Sequence, residues 1–313
     1  MQQRSKNKIY CIIGISDHSV NKLIPSLLRS GKKIVGFVSR SSKKNNPKYK
    51  RFFYLDKAIK ALPKKTVFLV CTPPDTHYFY IKKFSKNCRD MIIEKPILTN
   101  DRDVKSLKSF YSNHNSNFFI KEAFMYRYSL MFKKTVSFIK SNFIEIKVIN
   151  CDFIMPSIPK LSFRDEVKIE SSCLYDVGCY IFDYFFSFEL ALKNLKILDV
   201  KYHKKKIVSL NFSFSLGDIK VNSKIGLGMT YKNVLEITDI YERTTEFNNI
   251  FYGRPLLKLI KRNENNEFLY DKNSFIQMFK EDLNMINFKK QRVFYRMKKV
   301  SEMLEKIKIK LKE

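Results

Sequence analysis

Two opposite charges follow directly on a short apolar run in the N-terminal third of the chain. The run is 91–93 (Met-Ile-Ile), and Glu94, Lys95 and Pro96 come straight after it. Such a run is typical of a strand that a parallel sheet buries on both faces, and Pro96 ends the strand because it has no backbone N–H. Ligands of open α/β sheets bind beyond the carboxyl ends of the strands, so Glu94 and Lys95 are candidates for acting on a ligand. The alternative is an ordinary solvated pair at the end of a strand.

The pattern around these residues predicts two kinds of architecture in succession. Up to Glu122, predicted strands alternate with predicted helices, which indicates right-handed βαβ units and a parallel sheet. The predicted strands are 9–14, 33–39, 66–71, 90–94 and 118–122, and the predicted helices are 20–30, 76–87 and 100–115. After Glu122 come a helix at 129–140, an extended segment at 144–155 and a helix from near Cys173. From Ile207 to Thr238 apolar and polar residues alternate, which predicts an antiparallel sheet.

The composition limits the kinds of partner that we expect for this protein. The chain has 313 residues and a formal charge of +30, which by itself suggests nucleic acid. The lysines are spread over the whole length, however, as expected from an A/T-rich genome, and no aromatic-studded basic motif is present, so we expect no nucleic-acid partner. No apolar run has the length of a membrane span. The amphipathic segment 296–313 is expected to dock on its own protein, with a membrane surface as the alternative.

The cysteines and the N-terminus favour a cytoplasmic protein. The six cysteines form no C-x-x-C pair and no metal-ligand spacing with the four histidines, so we expect reduced thiols and no metal site. The first predicted strand begins at Ile9, which leaves no room for the apolar region of a signal peptide before it.

The turn after the first strand stands where a dinucleotide fingerprint G-x-G-x-x-G would stand. Gly14 is present, but Ser16 and Ser19 replace the second and third glycines. Serine is small and can donate a hydroxyl to a phosphate, so binding is strained rather than prevented. The second strand ends in Ser39 and Arg40, where an NAD-preferring site has an acidic residue. This pair suits a 2′-phosphate and predicts NADP, with NAD possible; the alternative is a solvated arginine.

Four short motifs occur in a characteristic order. They are 72–77 (Thr-Pro-Pro-Asp-Thr-His), 94–96 (Glu-Lys-Pro), 122–128 (Glu-Ala-Phe-Met-Tyr-Arg-Tyr) and 176–180 (Asp-Val-Gly-Cys-Tyr). Together they resemble the Gfo/Idh/MocA family of oxidoreductases, in particular its members similar to trans-dihydrodiol and xylose dehydrogenases. The resemblance implies an α/β fold: an N-terminal Rossmann-type, doubly wound parallel sheet at 1–122, followed by an α+β domain at 123–313. The large, mostly antiparallel sheet of the second domain often mediates oligomers in this family, and we expect a homo-oligomer, most simply a dimer.

The resemblance also assigns catalytic roles. Lys95 is similar to the lysine that lies between nicotinamide and substrate, and Tyr180 matches a position that is histidine or tyrosine in the family. Asp176 lies four residues before Tyr180, on the same face of a helix. A free tyrosine, with a pKa near ~10, is a poor base at neutral pH; a nearby ammonium favours its phenolate. Lys95 would supply that charge, and Asp176 would orient the substrate hydroxyl. The alternative for Tyr180 is a core tyrosine on an aromatic-rich helix.

Other positions are implied to bind the cofactor. Thr72, Pro73 and His77 resemble the loop that borders the nicotinamide and its ribose, Glu94 adjoins the family's lysine, and Arg164 resembles an arginine near cofactor or substrate. His77 can equally be a helix-start residue with a local hydrogen bond, and Arg164 a surface charge. The chain departs from the family pattern at its fingerprint glycines, at 170–173 (Glu-Ser-Ser-Cys) and at 129–130 (Ser-Leu).

The sequence therefore predicts a cytoplasmic oxidoreductase. It transfers a hydride between NADP(H) and a carbinol or carbonyl of a sugar, nucleotide sugar or polyol-like substrate. The alternative is a binding or regulatory homologue that keeps the fold but binds the cofactor weakly.

Overall fold

The chain folds into two compact units. The computed structural model describes residues 8–39, 49–100, 102–106, 118–156, 160, 163–262, 265–281 and 290–312, with backbone only at 290–294. One unit consists of Met1–Phe124 and Phe275–Tyr295, and the other of Met125–Ser274 and Arg296–Glu313. The predicted division after residue 122 lies within two residues of the first of these boundaries. The return of 275–295 to the first unit was not predicted, because local periodicity carries no information on such a long-range contact.

The first unit contains a six-stranded parallel sheet. Its strands are β1 (Ile9–Ile13), β2 (Lys33–Val38), β3 (Lys50–Phe52), β4 (Thr66–Val70), β5 (Met91–Ile93) and β6 (Ile120–Glu122). They lie in the order β3-β2-β1-β4-β5-β6, so the chain runs outward from β1 in both directions, as in a doubly wound fold. The predicted parallel sheet is confirmed. Strands β1, β4 and β5 are almost wholly apolar because both faces of the sheet are covered there.

Short helices connect these strands. The helical segments are Ser19–Leu23 (π-helical), α1 (Ile24–Arg29), α2 (Leu55–Ala61), α3 (His77–Lys86) and, in the returning segment, α6 (Ser274–Lys280). Residues 102–106 are also helical, and the rest of the helix predicted at 100–115 lies mostly outside the described residues. Helix α6 belongs to the core of this unit: the ring of Phe279 packs edge-on against Tyr10 of β1, at 6.5 Å. The buried Lys121 of β6 donates to the carbonyl of Met278.

The second unit contains an eight-stranded, mostly antiparallel sheet. Its strands are β7 (Ile146–Met155), β8 (Leu192–His203), β9 (Lys206–Leu216), β10 (Ile219–Leu227), β11 (Lys232–Asp239), β12 (Thr244–Asn248), β13 (Leu256–Arg262) and β14 (Asn265–Asp271). The order is β14-β13-β12-β11-β7-β10-β9-β8, and among the pairs in it only β7 and β10 are parallel. The predicted large, mostly antiparallel sheet is therefore confirmed, although β8 and β12–β14 were not predicted.

The helices of the second unit bury their apolar faces. They are α4 (Leu130–Ser141), a π-helical turn at Leu174–Gly178, α5 (Cys179–Phe186) and, from Arg296 onward, α7 (Lys290–Lys310). Met297, Val300, Leu304 and Ile307 of α7 are buried. This packing confirms that the C-terminal helix docks on its own protein. Within the described ranges, no helix combines the length and apolarity that crossing a bilayer requires.

Candidate functional site

The loop after β1 approaches the loop after β4 so closely that only glycine fits at its start. Gly14 has φ +80°, and a Cβ there would lie 2.8 Å from Cγ2 of Thr72. Its N–H donates to the carbonyl of Val38, at 3.1 Å, which ties the turn to the end of β2. The fingerprint glycine of the sequence is thus required by backbone conformation and by close approach.

Ser16 and Ser19 hold the rest of this turn through reciprocal hydrogen bonds. The N–H of Ser16 donates to Oγ of Ser19, at 2.8 Å, and the N–H of Ser19 donates to Oγ of Ser16, at 3.2 Å. Oγ of Ser19 also donates to the carbonyl of Ser16, at 2.8 Å, and Ser19 is fully buried. The arrangement is that of a capping box. The missing glycines are therefore replaced by a serine pair whose hydroxyls accept from two backbone amides of the loop.

Ser39 lies directly after β2, and its backbone is fixed by β3. Its N–H donates to the carbonyl of Phe52, at 3.1 Å, and its carbonyl accepts from Nε of Arg51, at 3.2 Å. Arg40 lies outside the described residues. Arg51 is a basic group beside Ser39 that the sequence analysis missed, because only the pairing of β3 with β2 brings it there.

His77 links the loops that follow β4 and β5. Its side chain is fully buried at the first residue of α3. Nε2 lies 2.8 Å from the carbonyl oxygen of Thr72, and Nδ1 lies 3.0 Å from that of Pro96. Burial lowers the pKa of His77 below its usual value, although its contacts with both carbonyls and the charge of Glu94 oppose that shift.

Glu94 and Lys95 stand at the end of β5, as predicted. Oε1 of Glu94 lies 3.4 Å from Nε2 of His18, in the turn after β1, and Oε2 accepts from the backbone N–H of Lys95, at 3.3 Å. Burial alone would raise the pKa of Glu94. The charges of His18, Lys95 and His77 outweigh it and hold the pKa of Glu94 below its usual value. The sequence analysis missed His18 as the partner of Glu94.

In the second unit, Arg164 contacts Asp176. Nε of Arg164 lies 2.6 Å from Oδ2 of Asp176, and Nη2 donates to Oδ1 at 3.1 Å. The Asp176 side chain is only 12% exposed. Lys206 lies beside this pair, where its ammonium donates to the carbonyl of Arg164. Burial lowers the pKa of Lys206, and the charge of Asp176 partly offsets the effect. One guanidinium that contacts both oxygens of a carboxylate fixes the orientation of that carboxylate.

Tyr180 lies in α5, within an aromatic cluster. Its ring centroid is 5.5 Å from that of Tyr126, 5.3 Å from that of Phe153 and 5.6 Å from that of Phe251. The hydroxyl donates to Sδ of Met125, at 3.5 Å, and the residue is 6% exposed. The core-tyrosine alternative requires this kind of packing, so the role of Tyr180 as a base stays a prediction.

Two of the helical segments that carry predicted site residues are π-helical, namely Ser19–Leu23 and Leu174–Gly178. Short π-helical turns are rare and frequently occur at functional sites. The second one contains Asp176 and directly precedes α5.

A buried charged group that the sequence analysis missed fixes the 122–128 motif to α5. Asp183 is fully buried, and its carboxylate accepts from the hydroxyl of Tyr126 and from Arg127. Arg296 of α7 lies 3.1 Å from the same carboxylate and donates to the backbone carbonyl of Asp183. Burial opposes ionisation of Asp183, but the two arginines outweigh it and keep its pKa below the usual value. The motif thus has a structural role in this unit.

The predicted site residues therefore fall into two sets, one in each unit. Gly14, Thr72, His77, Glu94 and Lys95 meet at the carboxyl edge of the parallel sheet, with Ser16, Ser19 and Ser39 on the neighbouring turns and Pro73 beside Thr72. Arg164 and Asp176 meet in the other unit, which also contains Tyr180.

The family model described as "Oxidoreductase family, NAD-binding Rossmann fold", that of the Gfo/Idh/MocA proteins, matches residues 9–121. This range contains all six strands of the first sheet except the last residue of β6. The match supports the predicted family over this part of the chain, which is similar to an NAD-binding Rossmann fold. Comparison with curated proteins gives no match.

Solved structures show the same fold over nearly the whole chain. KijD10, a 3-ketoreductase from Actinomadura kijaniata in complex with NADP and TDP-benzene, is 14% identical, with a TM-score of 0.78 and 96% of each chain covered. An aldose-aldose oxidoreductase from Caulobacter crescentus, complexed with glycerol, is 10% identical, with a TM-score of 0.78; the match covers 96% of this chain and 97% of the other. At these identities the likeness concerns the fold.

Proposed function

We propose that this protein is an oxidoreductase that transfers a hydride between NADP(H) and a carbinol or carbonyl group of a sugar, nucleotide sugar or polyol-like substrate. One observation carries the proposal. Residues 9–121 match an NAD-binding oxidoreductase family, and the strands in that range present Gly14, Thr72 and Lys95 together at the carboxyl edge of the sheet. The resemblance to trans-dihydrodiol and xylose dehydrogenases is part of this proposal.

The residues at that edge fit a dinucleotide. The positive φ of Gly14 and its close contact with Thr72 require glycine at this position. Because glycine has no Cβ, a pyrophosphate could approach the backbone of the first turn closely. No carboxylate stands at Ser39, so a 2′-phosphate would meet no repulsion there. Ser39, Arg40 and Arg51 would hold the adenosine half, and Thr72, Pro73 and Lys95 the nicotinamide half. The bound nicotinamide supplies or accepts the hydride.

The chain's own residues must manage the proton. In the oxidative direction, Tyr180 as phenolate accepts the proton of the substrate hydroxyl; in the reductive direction, its hydroxyl returns that proton to the carbonyl oxygen. The ammonium of Lys95 would favour the phenolate form of Tyr180. Asp176 orients the hydroxyl, and Arg164 keeps its carboxylate in one orientation. These roles rest on the family resemblance.

The substrate class follows from the kind of chemistry that similar folds perform. The ketoreductase from Actinomadura kijaniata is described with a TDP derivative, and the oxidoreductase from Caulobacter crescentus acts on aldoses. We propose sugars, nucleotide sugars or polyol-like compounds as the substrate class of this chain, rather than any single compound.

Cofactor titration followed by a substrate screen tests the proposal. NADPH fluorescence should change on addition of the protein and saturate at a stoichiometry of one per chain. A screen of sugars and nucleotide sugars with NADP+ should then give protein-dependent formation of NADPH with one group of substrates. Absence of binding for both NADPH and NADH would refute the proposal.

One observation favours a second candidate, a regulatory or binding homologue. The hydroxyls of Ser16 and Ser19 accept from backbone amides that a pyrophosphate would otherwise use. The same titration separates the two candidates, because a homologue that has lost its cofactor binds NADPH weakly even at low ionic strength.

We further propose that the protein is a homo-oligomer through the second sheet. On the hairpin of β13 and β14, Leu257, Phe268 and Tyr270 lie on one face and are each about 60% exposed. Three large apolar side chains on one exposed sheet face are typical of an interaction surface. Light scattering should give the mass of a dimer. Phe268→Glu should yield monomers, whereas Phe79→Glu, at an equally exposed phenylalanine of α3, should not. A wild-type monomer at micromolar concentration would contradict this.

A cytoplasmic location is likewise proposed. All six cysteines are free thiols, including the exposed Cys88, and free thiols persist most readily in a reducing compartment.

A further inference from the structure

The side chain of His77 makes its polar contacts within the protein, unlike the residues that can touch a cofactor. The side chain is fully buried, and both ring nitrogens face backbone carbonyl oxygens, those of Thr72 and Pro96. Whichever nitrogen carries the proton, neither points towards open space. The ring therefore has no polar atom left for a ligand.

The two carbonyls belong to the two loops that carry predicted site residues. Thr72 begins the loop after β4 and touches the position of Gly14, so its backbone borders the phosphate turn. Pro96 is bonded to Lys95, so fixing the Pro96 carbonyl also fixes the backbone on which the Lys95 side chain stands. The next amide, that of Ile97, donates to Oε1 of Glu122, at 3.0 Å. A neutral ring donates to one of these carbonyls and packs against the other, whereas a protonated ring donates to both, so in either state His77 contacts both loops.

The strand order says which half of a dinucleotide these loops would meet. With its pyrophosphate at the turn after β1, the nucleotide has its adenosine ribose at the end of β2. In the sheet order β3-β2-β1-β4-β5-β6, strands β4 and β5 lie on the opposite side of β1 from β2. The nicotinamide half therefore falls over the loops that His77 joins, and the adenosine half does not.

We propose that His77 is a positioning residue: it holds the loops after β4 and β5 at the spacing that the nicotinamide half of the cofactor and Lys95 require. The inference rests on the proposed function. It differs from the expectation that His77 itself binds the cofactor, since its ring nitrogens already contact carbonyl oxygens within the protein.

Two ligands distinguish positioning from general stability. NADPH carries both halves, and 2′-phospho-ADP-ribose keeps the adenosine half and the pyrophosphate but lacks the nicotinamide. Calorimetric titration should show that His77→Phe, which keeps a ring but removes both nitrogens, weakens NADPH binding about tenfold, as the loss of one well-placed contact does. Binding of 2′-phospho-ADP-ribose should change less than about twofold. His77→Gln, which retains an amide donor, should recover part of the NADPH affinity.

Arg89→Met is the matched control. Arg89 is also buried in the first unit and also donates to backbone carbonyls, those of Ile59, Leu62 and Pro63, but it precedes β5 and so lies away from the carboxyl edge. Arg89→Met should lower the melting temperature without changing the affinity for NADPH or for 2′-phospho-ADP-ribose. Equal effects of His77→Phe on both ligands, no effect on either, or the same selective loss in Arg89→Met would overturn the inference.

His77→Gln serves as the deciding variant if His77→Phe does not fold. A selective loss of NADPH affinity in His77→Gln supports positioning, and unchanged or equally weakened binding of both ligands overturns it. If the wild type binds neither ligand, the proposed function fails, and this outcome is distinct from failure of the inference.

Discussion

Replacing Ser16 by glycine should tighten cofactor binding. In the wild type, the backbone N–H of Ser19 donates to Oγ of Ser16, at 3.2 Å, so this amide is engaged before any phosphate arrives. Ser16→Gly removes the acceptor and leaves the amide available. It also restores the second glycine of the fingerprint, which allows closer approach of a pyrophosphate.

The size of the effect follows from one hydrogen bond. A net contribution of about 0.5–1.5 kcal/mol corresponds to a dissociation constant lower by roughly two- to tenfold. NADPH and NADH should gain by the same factor because they share the pyrophosphate. The fold should be little affected, because glycine in place of a capping serine costs only a few tenths of a kcal/mol.

Fluorescence titration of both cofactors with wild type and Ser16→Gly measures this prediction. Ser30→Ala is a suitable control, since Ser30 lies at the other end of the same helical region and its hydroxyl donates only to the carbonyl of Leu27 among the contacts described. Weaker binding in Ser16→Gly would show that the Ser16 hydroxyl itself donates to the phosphate. A gain for one cofactor alone would show that the effect does not act through the pyrophosphate. Either result would refute the reasoning.

Three other predictions concern the proton, the 2′-phosphate and a buried ion pair. Tyr180→Phe and Lys95→Met should each remove most turnover on the true substrate while the circular dichroism spectrum stays unchanged; near-wild-type turnover in Tyr180→Phe would contradict its role as the base. Wild type should bind NADPH about ten- to a hundredfold more tightly than NADH, because a charge-assisted hydrogen bond contributes about 1.5–3 kcal/mol, and Arg40→Ala should lower this ratio; an unmoved ratio would count against Arg40. Lys258→Met should lower the free energy of unfolding by about 3–5 kcal/mol in urea, since it leaves the buried carboxylate of Asp271, now 2.9 Å from the ammonium, without its cation; a loss under about 1 kcal/mol would contradict this.

The central strands could be predicted from the sequence because each is an apolar run that the sheet covers on both faces. The observed β1, β2 and β4 agree with the predicted strands to within one residue at either end. The edges could not be predicted in this way. Strand β8 mixes apolar residues with lysine, asparagine and aspartate in no regular alternation, and β3 has only three residues. Edge strands carry charge because unpaired edges otherwise aggregate, and that charge hides the alternation on which the prediction depends.

The candidate site also contains some residues that could be predicted from the sequence and others that could not. Lys95 was predicted because it follows a strand, and ligands of such folds bind beyond the carboxyl ends of the strands. Thr72 was predicted from the family resemblance. The partners of Glu94 and Ser39 were not predicted. His18 reaches Glu94 from a different turn, and Arg51 reaches Ser39 from a strand too short to recognise. Such pairs depend on side-chain distances across the sheet, which no local pattern encodes.

The serine pair shows how far local sequence can explain a departure from a motif. Ser16 and Ser19 are three residues apart, the spacing of a capping box, and the structure has the reciprocal bonds that this spacing permits. The glycines of a fingerprint serve both to shape a turn and to admit a phosphate, and serines at these positions can keep the first property through their hydroxyls. Whether they also keep the second depends on the amide of Ser19, which can donate to Oγ of Ser16 or to a phosphate oxygen. The affinity of Ser16→Gly for NADPH measures this competition directly.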